Sequence, residues 1–587
     1  MNIEYQLQIN ISMSYTKLRS YISRLKINRH YILYLGFLCL LSPIYSTPGT
    51  GGTGFSLSFN IVVWAIAIWF IAIGLLVLSK KLQIFAPRQL CYLLLFPSII
   101  IINGLLAEIN QPITWLFRII YVFGGLFFLI SLFQFSITAS TIDRLLFVLV
   151  IAMGLHASVG SLQIIAPHLL PNWIPRQMNF VPRSLFQQIN MQASFLATGI
   201  VSSLYLISRP SFQFSSLFLK ITLLVSFSLA IYIITASGSR IGLLSLLLGV
   251  PLILWSRYKL LLKHKKFLSI LLITSCIGVA AGYAGLNQTL DKVARLNAGE
   301  YSDARWSIYT ISAELIAQKP LVGHGIGNFL KAWNPQAADF YLRHPNTSLP
   351  QFILHPHNEI FFWMIELGLP ALIGISAVTF GIAKALYYCG FQRGVAYTAI
   401  LLPISLHTQL EHPFYISSIH WFLWLFLLFI IFRHQTKQYV VCLSTSAIRL
   451  IQIIAFIVSI GGTWFLVNTA QAQIELKNFM SSKIGEDASL SIALTNLYFN
   501  PVAEQSAMRK LLLLGVKTRN KKHVETYEEW ANLAIKSNPD LNIYKALFYA
   551  SSFLRPKGKG CDVLKEGIAM YPQNKFFQNA YLNCLQL

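Results

Sequence analysis

Charged residues are scarce in this chain, and acidic residues are the scarcest of them. Only 11% of its 587 residues are charged, with 21 Asp and Glu against 46 Lys and Arg. A soluble domain carries about 25% charged residues, so this composition excludes an ordinary soluble protein. Metal-binding patterns are also missing. The sequence contains no His-Glu-x-x-His and no Cys-x-x-Cys pair, and His355 and His357 flank a proline, which is a poor spacing for two ligands on one helix face.

Long apolar runs dominate what is present. Hydrophobic residues make up 55% of the chain, and its mean hydropathy is +0.58. A run of about 20 apolar residues is long enough to cross a bilayer as a helix. The sequence therefore predicts an all-α, polytopic transmembrane bundle of about 13 spans, within a range of about 12–14. The predicted spans are 31–46, 60–79, 89–107, 113–135, 145–166, 191–209, 217–235, 240–256, 267–285, 357–381, 395–408, 416–433 and 449–468.

The net charge of +25 is concentrated in short loops between the apolar runs. In a soluble chain it would suggest nucleic-acid binding, but basic residues in alternate loops are the pattern that membrane insertion selects. Residues 1–30 are basic and are predicted to be cytoplasmic, with no cleavable signal peptide. With an odd number of spans, a long polar loop at about 286–356 and the C-terminal region lie outside the cytoplasm.

Three regions follow from this pattern: a basic N-terminus at 1–30, a transmembrane domain at 31–468 that includes the long loop, and a soluble helical region at 470–587. Two similar phrases in the last region end at Pro539 and Pro572. Their spacing resembles a tetratricopeptide repeat, although an ordinary small helical bundle also fits. Cys561 and Cys584 are able to form a disulfide if this region is extracytoplasmic.

A histidine lies at the mouth of a predicted span, below the long polar loop. His357 and Asn358 open the run that continues into the span at 357–381. An unperturbed imidazole titrates near ~6.5, so His357 is able to exchange protons at neutral pH. The alternative is a histidine that hydrogen-bonds a neighbouring helix.

Two arginines on the same outer side depart from the charge rule. Arg240 lies in a short turn between two spans, where it either extends to the lipid headgroups or clamps a phosphate with its guanidinium. Arg305 begins a predicted amphipathic helix. It either forms an ion pair with Asp303 or Glu300 or provides a second guanidinium for the same phosphate.

Other polar residues lie near the predicted span ends. Gln188 and Asn190 enter a span, where amides are costly unless they are satisfied, so they either bond across helices or line a polar substrate cavity. His407 and Glu411 are four residues apart and share one helical face, or else belong to a simple cap between two helices. Glu366 is expensive within a span and is expected to have a structural partner.

A glycine-rich run occupies residues 323–328. No Gly-Lys-Ser/Thr follows it, so it is not a Walker loop. A tight turn that lets the backbone approach a ligand is the simpler interpretation, and His324 within it is expected to be structural.

These elements, in this order, resemble the O-antigen ligase and polysaccharide polymerase superfamily (Wzy_C), and most of all its PglL-type protein O-oligosaccharyltransferases. The ligase signature is His, then Asn, Ser or Gln, then nine residues and Gly-x-x-Gly. His357 and Asn358, followed by nine residues and Gly368, are similar to it, with Ala371 in place of the final glycine.

The resemblance extends over roughly residues 85–435. Arg240-Ile241-Gly242 resembles the family's Ser-Arg-x-Gly element. Arg305-Trp306 resembles its arginine-rich entry, and residues 320–329 resemble its Pro-Leu-x-Gly-x-Gly-x-x-Phe phrase. Residues 188–193 resemble the Gln-Pro-Asn-x-x-Ala of the protein-modifying branch, with Ile189 in place of proline, and residues 407–413 resemble its His-x-x-x-Glu-x-Pro.

The resemblance implies a membrane glycosyltransferase that needs no cofactor, neither metal nor nucleotide. The donor would be an oligosaccharide on undecaprenyl pyrophosphate, and the acceptor a Ser or Thr hydroxyl of a pilin or other exported protein. The site would face the periplasm from a bacterial inner membrane. His357 would be catalytic, and Arg240 and Arg305 would hold the pyrophosphate. The supporting residues around the substrate cavity would be Asn358, Gln188, Asn190, His407 and Glu411.

Two further functions fit parts of the pattern. An O-antigen ligase that acts on lipid A-core, or a glycan polymerase, would differ only in its acceptor. A transporter or flippase for the same lipid-linked glycan would need charged residues through the bilayer midplane and inverted repeats, whereas the polar residues here gather on one face.

Overall fold

The computed structural model describes residues 34, 36–45, 52–77, 82–107, 109–135, 137–174, 181–297, 304–347, 349–350, 353–434, 438–555 and 560–585. The basic N-terminus at 1–30 lies outside the described residues. So do Glu300 and Asp303, the two carboxylates that the sequence offers as partners for Arg305.

The described chain is built almost entirely of helices. The first half contains α1 (Ser58–Val77), β1 (Gln83–Ala86), α2 (Leu90–Leu106), α3 (Pro112–Phe133), α4 (Ala139–Ile165), α5 (Ile189–Ile207), α6 (Pro210–Gln213), α7 (Leu217–Ser237), α8 (Arg240–Leu261), α9 (Lys265–Ala281) and α10 (Tyr283–Asn297). The second half contains α11 (Ala304–Gln318), α12 (Phe329–Arg343), α13 (Glu359–Leu367), α14 (Leu369–Tyr388), α15 (Phe391–His407), α16 (Pro413–Ile416), α17 (Ser418–Phe432), β2 (Tyr439–Cys442), α18 (Thr445–Ser481), α19 (Ser491–Thr495), α20 (Asn500–Thr518), α21 (Lys521–Ser537), α22 (Leu541–Leu554), α23 (Cys561–Met570) and α24 (Lys575–Leu585). Short π or 3-10 turns occur at Phe37–Leu41, Ser42–Ile44, Gly54–Ser56, Pro167–Leu169, Ser184–Phe186 and Leu262–His264.

The all-α, polytopic class is confirmed. Among the described residues, 7 helical segments are long and apolar enough to cross a membrane, and one of them, Arg240–Ala281, covers two of the predicted spans. Two shorter apolar helices, Leu90–Leu106 and Ser418–Phe432, match predicted spans as well. The total of about 13 spans stays a prediction, because it also counts helices that are shorter or less apolar.

Helix α5 lies at the centre of the bundle. Every residue from Met191 to Ile207 is buried, and the helix packs against α4, α7, α8 and α15. Its sequence is rich in Ser, Ala, Thr and Gly, and such small side chains let membrane helices approach closely. The central position of α5 brings Gln188 and Asn190, at its start, beside the ends of the neighbouring helices.

A two-stranded antiparallel sheet joins β1 and β2, with Gln83 opposite Cys442 and Ala86 opposite Tyr439. The Gln134 side chain at the end of α3 accepts from the Phe85 N–H at 3.1 Å and donates to the Phe85 carbonyl at 2.7 Å. The sequence pattern does not predict this sheet. Its two strands have four residues each and lie far apart along the chain, so neither produces a recognisable alternation.

The prediction of one continuous span at 357–381 is wrong. The segment forms two helices, α13 and α14, which are separated at Gly368 with φ +74°. The Leu369 N–H donates to the Pro320 carbonyl at 2.7 Å. A Cβ atom on Gly368 would lie 2.5 Å from the same carbonyl oxygen, so the glycine-rich loop closes against this break.

Replacing Gly368 with alanine is expected to destabilise the protein well beyond the cost of its backbone conformation (φ +74°, ψ −166°), about 1–3 kcal/mol for a residue other than glycine. The added Cβ meets the fixed backbone of Pro320. The measurement is thermal unfolding of the purified chain in detergent. Gly390→Ala is the matched control. Gly390 has a similar φ of +76°, but no described atom lies within 4 Å of the position that a Cβ atom would take. Equal losses in the two variants would contradict the predicted clash.

The C-terminal helices lie against the extramembrane segments at one end of the bundle. Helix α18 has 37 residues and, at about 1.5 Å per residue, is much longer than a hydrocarbon core of ~30 Å. Its Gln473 side chain donates to the Ser56 carbonyl at 2.7 Å. Farther along, the buried Asn334 of α12 donates to the Pro539 carbonyl at 2.6 Å and to the Tyr571 hydroxyl at 2.9 Å.

The two repeated phrases mark equivalent positions in this region. Helix α21 ends at Ser537 and α23 ends at Met570, and each is followed by a proline and a new helix. A tetratricopeptide-like class stays a prediction. Cys561 and Cys584 form a disulfide between the start of α23 and the end of α24, with their Cα atoms 5.9 Å apart.

Candidate active site

The start of α13 is fixed by Asn358. Its side-chain oxygen accepts from the N–H groups of Ile360 and Phe361 at 2.9 and 3.0 Å, which makes it an N-cap. Its side-chain nitrogen donates to the Gln409 carbonyl at 3.0 Å. The Glu359 N–H donates to the Thr408 carbonyl at 2.9 Å. These bonds attach the beginning of α13 to the turn that follows α15.

His357 precedes this cap in a left-handed conformation, with φ +52°. A residue other than glycine rarely adopts such a φ, and strain of this kind concentrates at functional sites. The His357 N–H donates to the Nδ1 atom of His355 at 3.2 Å, and their ring centroids are 4.6 Å apart. The half-buried His357 ring is therefore held beside His355 by a strained backbone.

The electrostatic surroundings keep His357 in its neutral form at neutral pH. Burial is the largest influence on the pKa of His357 and lowers it below the usual value. The Glu411 carboxylate acts against burial, while the positive charge of Arg305 acts with it. A neutral imidazole has a free nitrogen lone pair, so His357 is able to accept a proton.

Glu411 is the centre of a buried hydrogen-bond network. Its two carboxylate oxygens accept from Asn190 Nδ2 at 2.7 Å, from Gln188 Nε2 at 3.0 Å and from His407 Nε2 at 3.1 Å. Burial raises the pKa of Glu411, but the bonds and charges of His407, Asn190 and His357 outweigh burial and leave this pKa below its usual value. Of the two alternatives for Gln188 and Asn190, the structure has both amides bonding across helices.

The network extends in two directions. The Ser239 hydroxyl, which caps α8 one residue before Arg240, donates to Asn190 Oδ1 at 2.8 Å. The other ring nitrogen of His407 contacts the Ser194 hydroxyl at 2.8 Å, and that hydroxyl lies 3.1 Å from His420 Nε2. The turn before α8, the start of α5 and the turn after α15 are thus held as one unit.

The sequence-predicted residues are brought together to different degrees. Gln188, Asn190, His407 and Glu411 share one set of hydrogen bonds. Asn358 is bonded to the same turn, and His357 and Arg305 interact electrostatically beside it. Arg240 is exposed and follows the network residue Ser239 directly.

Arg118 is a charged neighbour that the sequence reasoning missed. Its guanidinium carbon lies 4.7 Å from the ring centroid of Phe362, 5.1 Å from that of Trp363 and 4.5 Å from that of Tyr415. Its Nη2 atom is 3.9 Å from Glu366, which gives Glu366 the structural partner that was expected. The available signal was a single arginine inside the apolar run at 113–135.

The glycine-rich loop at residues 323–328 packs against the end of α13. Gly323, Gly325 and Gly327 all have positive φ. Gly323 and Gly325 approach the backbone of α13. The N–H of Gly325 donates to the Glu366 carbonyl at 3.0 Å, and that of Gly327 donates to the Glu366 side chain at 3.0 Å. His324 bonds the Leu315 carbonyl through Nε2 at 3.0 Å, in agreement with a structural role.

The fold and the site define a multi-pass helical membrane protein with a polar, histidine-containing site at one end of its bundle. Residues 225–376 match the family model described as O-antigen ligase. Residues 395–583 match the family model described as virulence factor membrane-bound polymerase, C-terminal. The two matches support the O-antigen ligase and polymerase superfamily and, with it, glycosyl transfer in the membrane from a lipid-linked glycan donor to an acceptor. The comparison with curated proteins finds no match.

The two matches cover different parts of the candidate site, and Gln188 and Asn190 lie in neither. The first includes Arg240, Arg305 and His357, while the second includes His407 and Glu411 together with the C-terminal helices. Because Glu411 acts electrostatically on His357, the two matched regions contribute to a single site.

Proposed function

We propose that this protein transfers a preassembled oligosaccharide from undecaprenyl pyrophosphate to Ser or Thr hydroxyls of exported proteins. The observation that supports this most directly is the half-buried His357, held in a left-handed conformation beside Glu411 and Arg305. A neutral base next to a guanidinium suits a reaction in which a hydroxyl loses a proton and a phosphate gains negative charge.

In the proposed reaction, the His357 imidazole accepts the proton of the acceptor hydroxyl. The hydroxyl oxygen attacks the anomeric carbon of the donor, and the bond between that carbon and the pyrophosphate oxygen breaks. The electron pair leaves with undecaprenyl pyrophosphate, whose charge Arg240 and Arg305 stabilise. The imidazolium then returns its proton to solvent. Attack from the face opposite the leaving group inverts the anomeric configuration.

A transfer assay with three acceptors tests this proposal. Purified full-length protein is incubated with a lipid-linked oligosaccharide and one of three acceptors: an exported protein with Ser and Thr residues, lipid A-core, or a second lipid-linked glycan. Mass spectrometry of the products is expected to show the glycan on protein hydroxyls. Transfer to lipid A-core alone would identify a ligase, and transfer to the second glycan alone a polymerase. The match to a membrane-bound polymerase model favours the polymerase as second candidate. No transfer to any acceptor would contradict the proposed activity.

The site is proposed to face the periplasm of a bacterial inner membrane, with the N-terminus in the cytoplasm. The Cys561–Cys584 disulfide supports this orientation, because disulfides persist in oxidising compartments. The opposite end of the bundle carries Arg209, Arg257 and Arg393, as the positive-inside rule requires of a cytoplasmic face.

A reporter fused after Leu587 is therefore expected to read as extracytoplasmic. A matched fusion after Arg433, which follows α17 at the opposite end, is expected to read as cytoplasmic. Alkaline phosphatase and fluorescent-protein activities of the two fusions measure this difference. A cytoplasmic signal from the fusion at Leu587 would overturn the proposed orientation.

Replacing Arg305 with lysine is expected to lower transfer by about 10²-fold, because an ammonium cannot form the paired hydrogen bonds of a guanidinium on a phosphate. Initial rates with saturating donor measure the effect. Arg343→Lys is the matched control, since Arg343 forms an exposed ion pair with Glu314 in the same extramembrane region. Unchanged turnover in Arg305→Lys would argue against pyrophosphate binding there.

A further inference from the structure

The helix ends opposite the candidate active site contain a buried guanidinium that has no counter-ion among the described residues. Arg257 lies near the end of α8, about 25 Å along the helix from Arg240 at a rise of 1.5 Å per residue. It is only 7% exposed. Its Nε and Nη2 atoms are buried, and neither has a hydrogen-bond partner among the described residues.

The Arg257 side chain does not extend toward the lipid headgroups. A side chain that extends to the membrane surface is exposed when the protein is considered alone, as Lys259 is two residues later. Arg257 instead packs inward, with its guanidinium carbon 5.2 Å from the ring centroid of Tyr205 in α5. A buried charge without compensation is costly, so an occupant that supplies negative charge would stabilise the fold.

The acidic residue that the described part of the chain places in this region is already engaged. Asp143 accepts from Arg209 Nε at 3.0 and 3.3 Å and from the Ser211 hydroxyl at 2.9 Å. Arg209 approaches the same Tyr205 ring at 5.8 Å, so the ring lies beside one paired and one unpaired guanidinium. Within the described part of the chain, the groups that act electrostatically on Arg257 are tyrosines and arginines, and none is a carboxylate.

Further positive charge converges on this end from α15 and α17. Arg393, at the start of α15, acts electrostatically on both Arg257 and His434. The Tyr397 hydroxyl contacts His434 Nε2 at 2.7 Å and the Tyr205 hydroxyl at 3.3 Å. Burial, together with the charges of Arg433, Arg393 and Arg209, lowers the pKa of His434 to about 4. His434 therefore stays neutral, and the arginines carry the local charge.

We propose that Arg257, assisted by Arg393, binds a phosphate oxyanion at the end of the bundle opposite the candidate active site. Guanidinium donors match phosphate geometry and are the residue type most suited to it. The phosphate belongs either to the headgroup of an anionic phospholipid or to a free phosphate. The proposal does not depend on the identity of the glycan donor or acceptor.

The test measures thermal unfolding of the full chain in a neutral detergent. Three probes are titrated: dioleoyl phosphatidylglycerol, dioleoylglycerol with the same acyl chains and no phosphate, and inorganic phosphate. Phosphatidylglycerol or inorganic phosphate is expected to raise the Tm, whereas dioleoylglycerol is not. A shift with the phospholipid alone identifies a headgroup site, and an equal shift with inorganic phosphate identifies a free-anion site.

Three variants decide whether Arg257 is responsible. Arg257→Gln is expected to raise the half-saturating concentration about ten-fold, as the loss of charge-assisted hydrogen bonds predicts. The exposed Arg393→Gln is expected to raise it less, and Lys259→Gln, on the same helix end, is expected to leave it unchanged. No shift in the wild-type protein, or equal shifts in wild type and Arg257→Gln, would overturn the proposal. If Arg257→Gln does not fold, Arg393→Gln decides, and an unchanged half-saturating concentration in that variant also overturns it.

Discussion

Replacing His357 with alanine is expected to abolish glycan transfer while leaving the protein folded and inserted. General-base catalysis contributes about 10²–10⁴-fold to a rate, and alanine has no group that accepts a proton. Release of undecaprenyl pyrophosphate from a purified donor measures the loss. His344→Ala is the matched control, because His344 is exposed in the same extramembrane region and its ring packs on Phe340.

The backbone at His357 requires a second variant. Its φ of +52° disfavours alanine, so a folding defect could imitate a catalytic one. Asparagine tolerates left-handed geometry better than most residues. His357→Asn is therefore expected to keep the Tm of the wild-type protein and still to lose glycan transfer. Full activity in either variant would remove the proposed role of His357.

The pH dependence of the wild-type protein tests the same role. Because burial lowers the pKa of His357, the imidazole stays unprotonated to a lower pH than a free histidine, whose pKa is near ~6.5. Transfer is expected to fall on the acid side only below that value. A loss of activity beginning well above it would indicate that another group is the base.

The fold was predictable where composition and length decide the outcome. Apolar runs of about 20 residues have few alternatives to membrane helices, and the all-α class follows from them. The break at Gly368 was not predictable from hydropathy, because the apolar pattern continues through it. It arises from contacts with Pro320, about 50 residues earlier, which a local pattern does not contain. The short β1–β2 sheet was not predictable for the same reason, since its two strands lie far apart along the chain and pair only in the folded protein.

The polar groups of the candidate site were predictable one by one, because each is costly in an apolar setting and so stands out. Their connections were not. Spacing offered His407 and Glu411 either a shared helical face or a cap between two helices. His407 ends α15 and Glu411 lies in the turn before α16, 3.1 Å away, which fits the cap. Gln188 and Asn190 meet the Glu411 carboxylate, and Ser239 meets Asn190, only because of how α5, α8 and α15 pack. From the sequence alone, the two amides had two equal alternatives.

Replacing Glu411 with glutamine is expected to lower transfer by about 10²-fold, the cost of misplacing reacting groups by about 1 Å. The shape of the side chain is kept, but one oxygen becomes an NH₂ donor, which faces either Asn190 Nδ2 or the pair of Gln188 Nε2 and His407 Nε2. A buried donor left without an acceptor costs about 1–3 kcal/mol, so the free energy of unfolding is also expected to fall. Glu314→Gln, in an exposed ion pair, is the matched control.

The residual activity of Glu411→Gln distinguishes electrostatic coupling from a purely structural role. The Glu411 carboxylate raises the pKa of His357 against the effect of burial. Removal of its charge lets that pKa fall further, so the acid limb of the pH–rate profile is expected to move to lower pH. A purely structural carboxylate would reduce the rate without moving the limb. If the acid limb stays in place while the Tm drops, Glu411 has only a structural role and does not tune the pKa of His357.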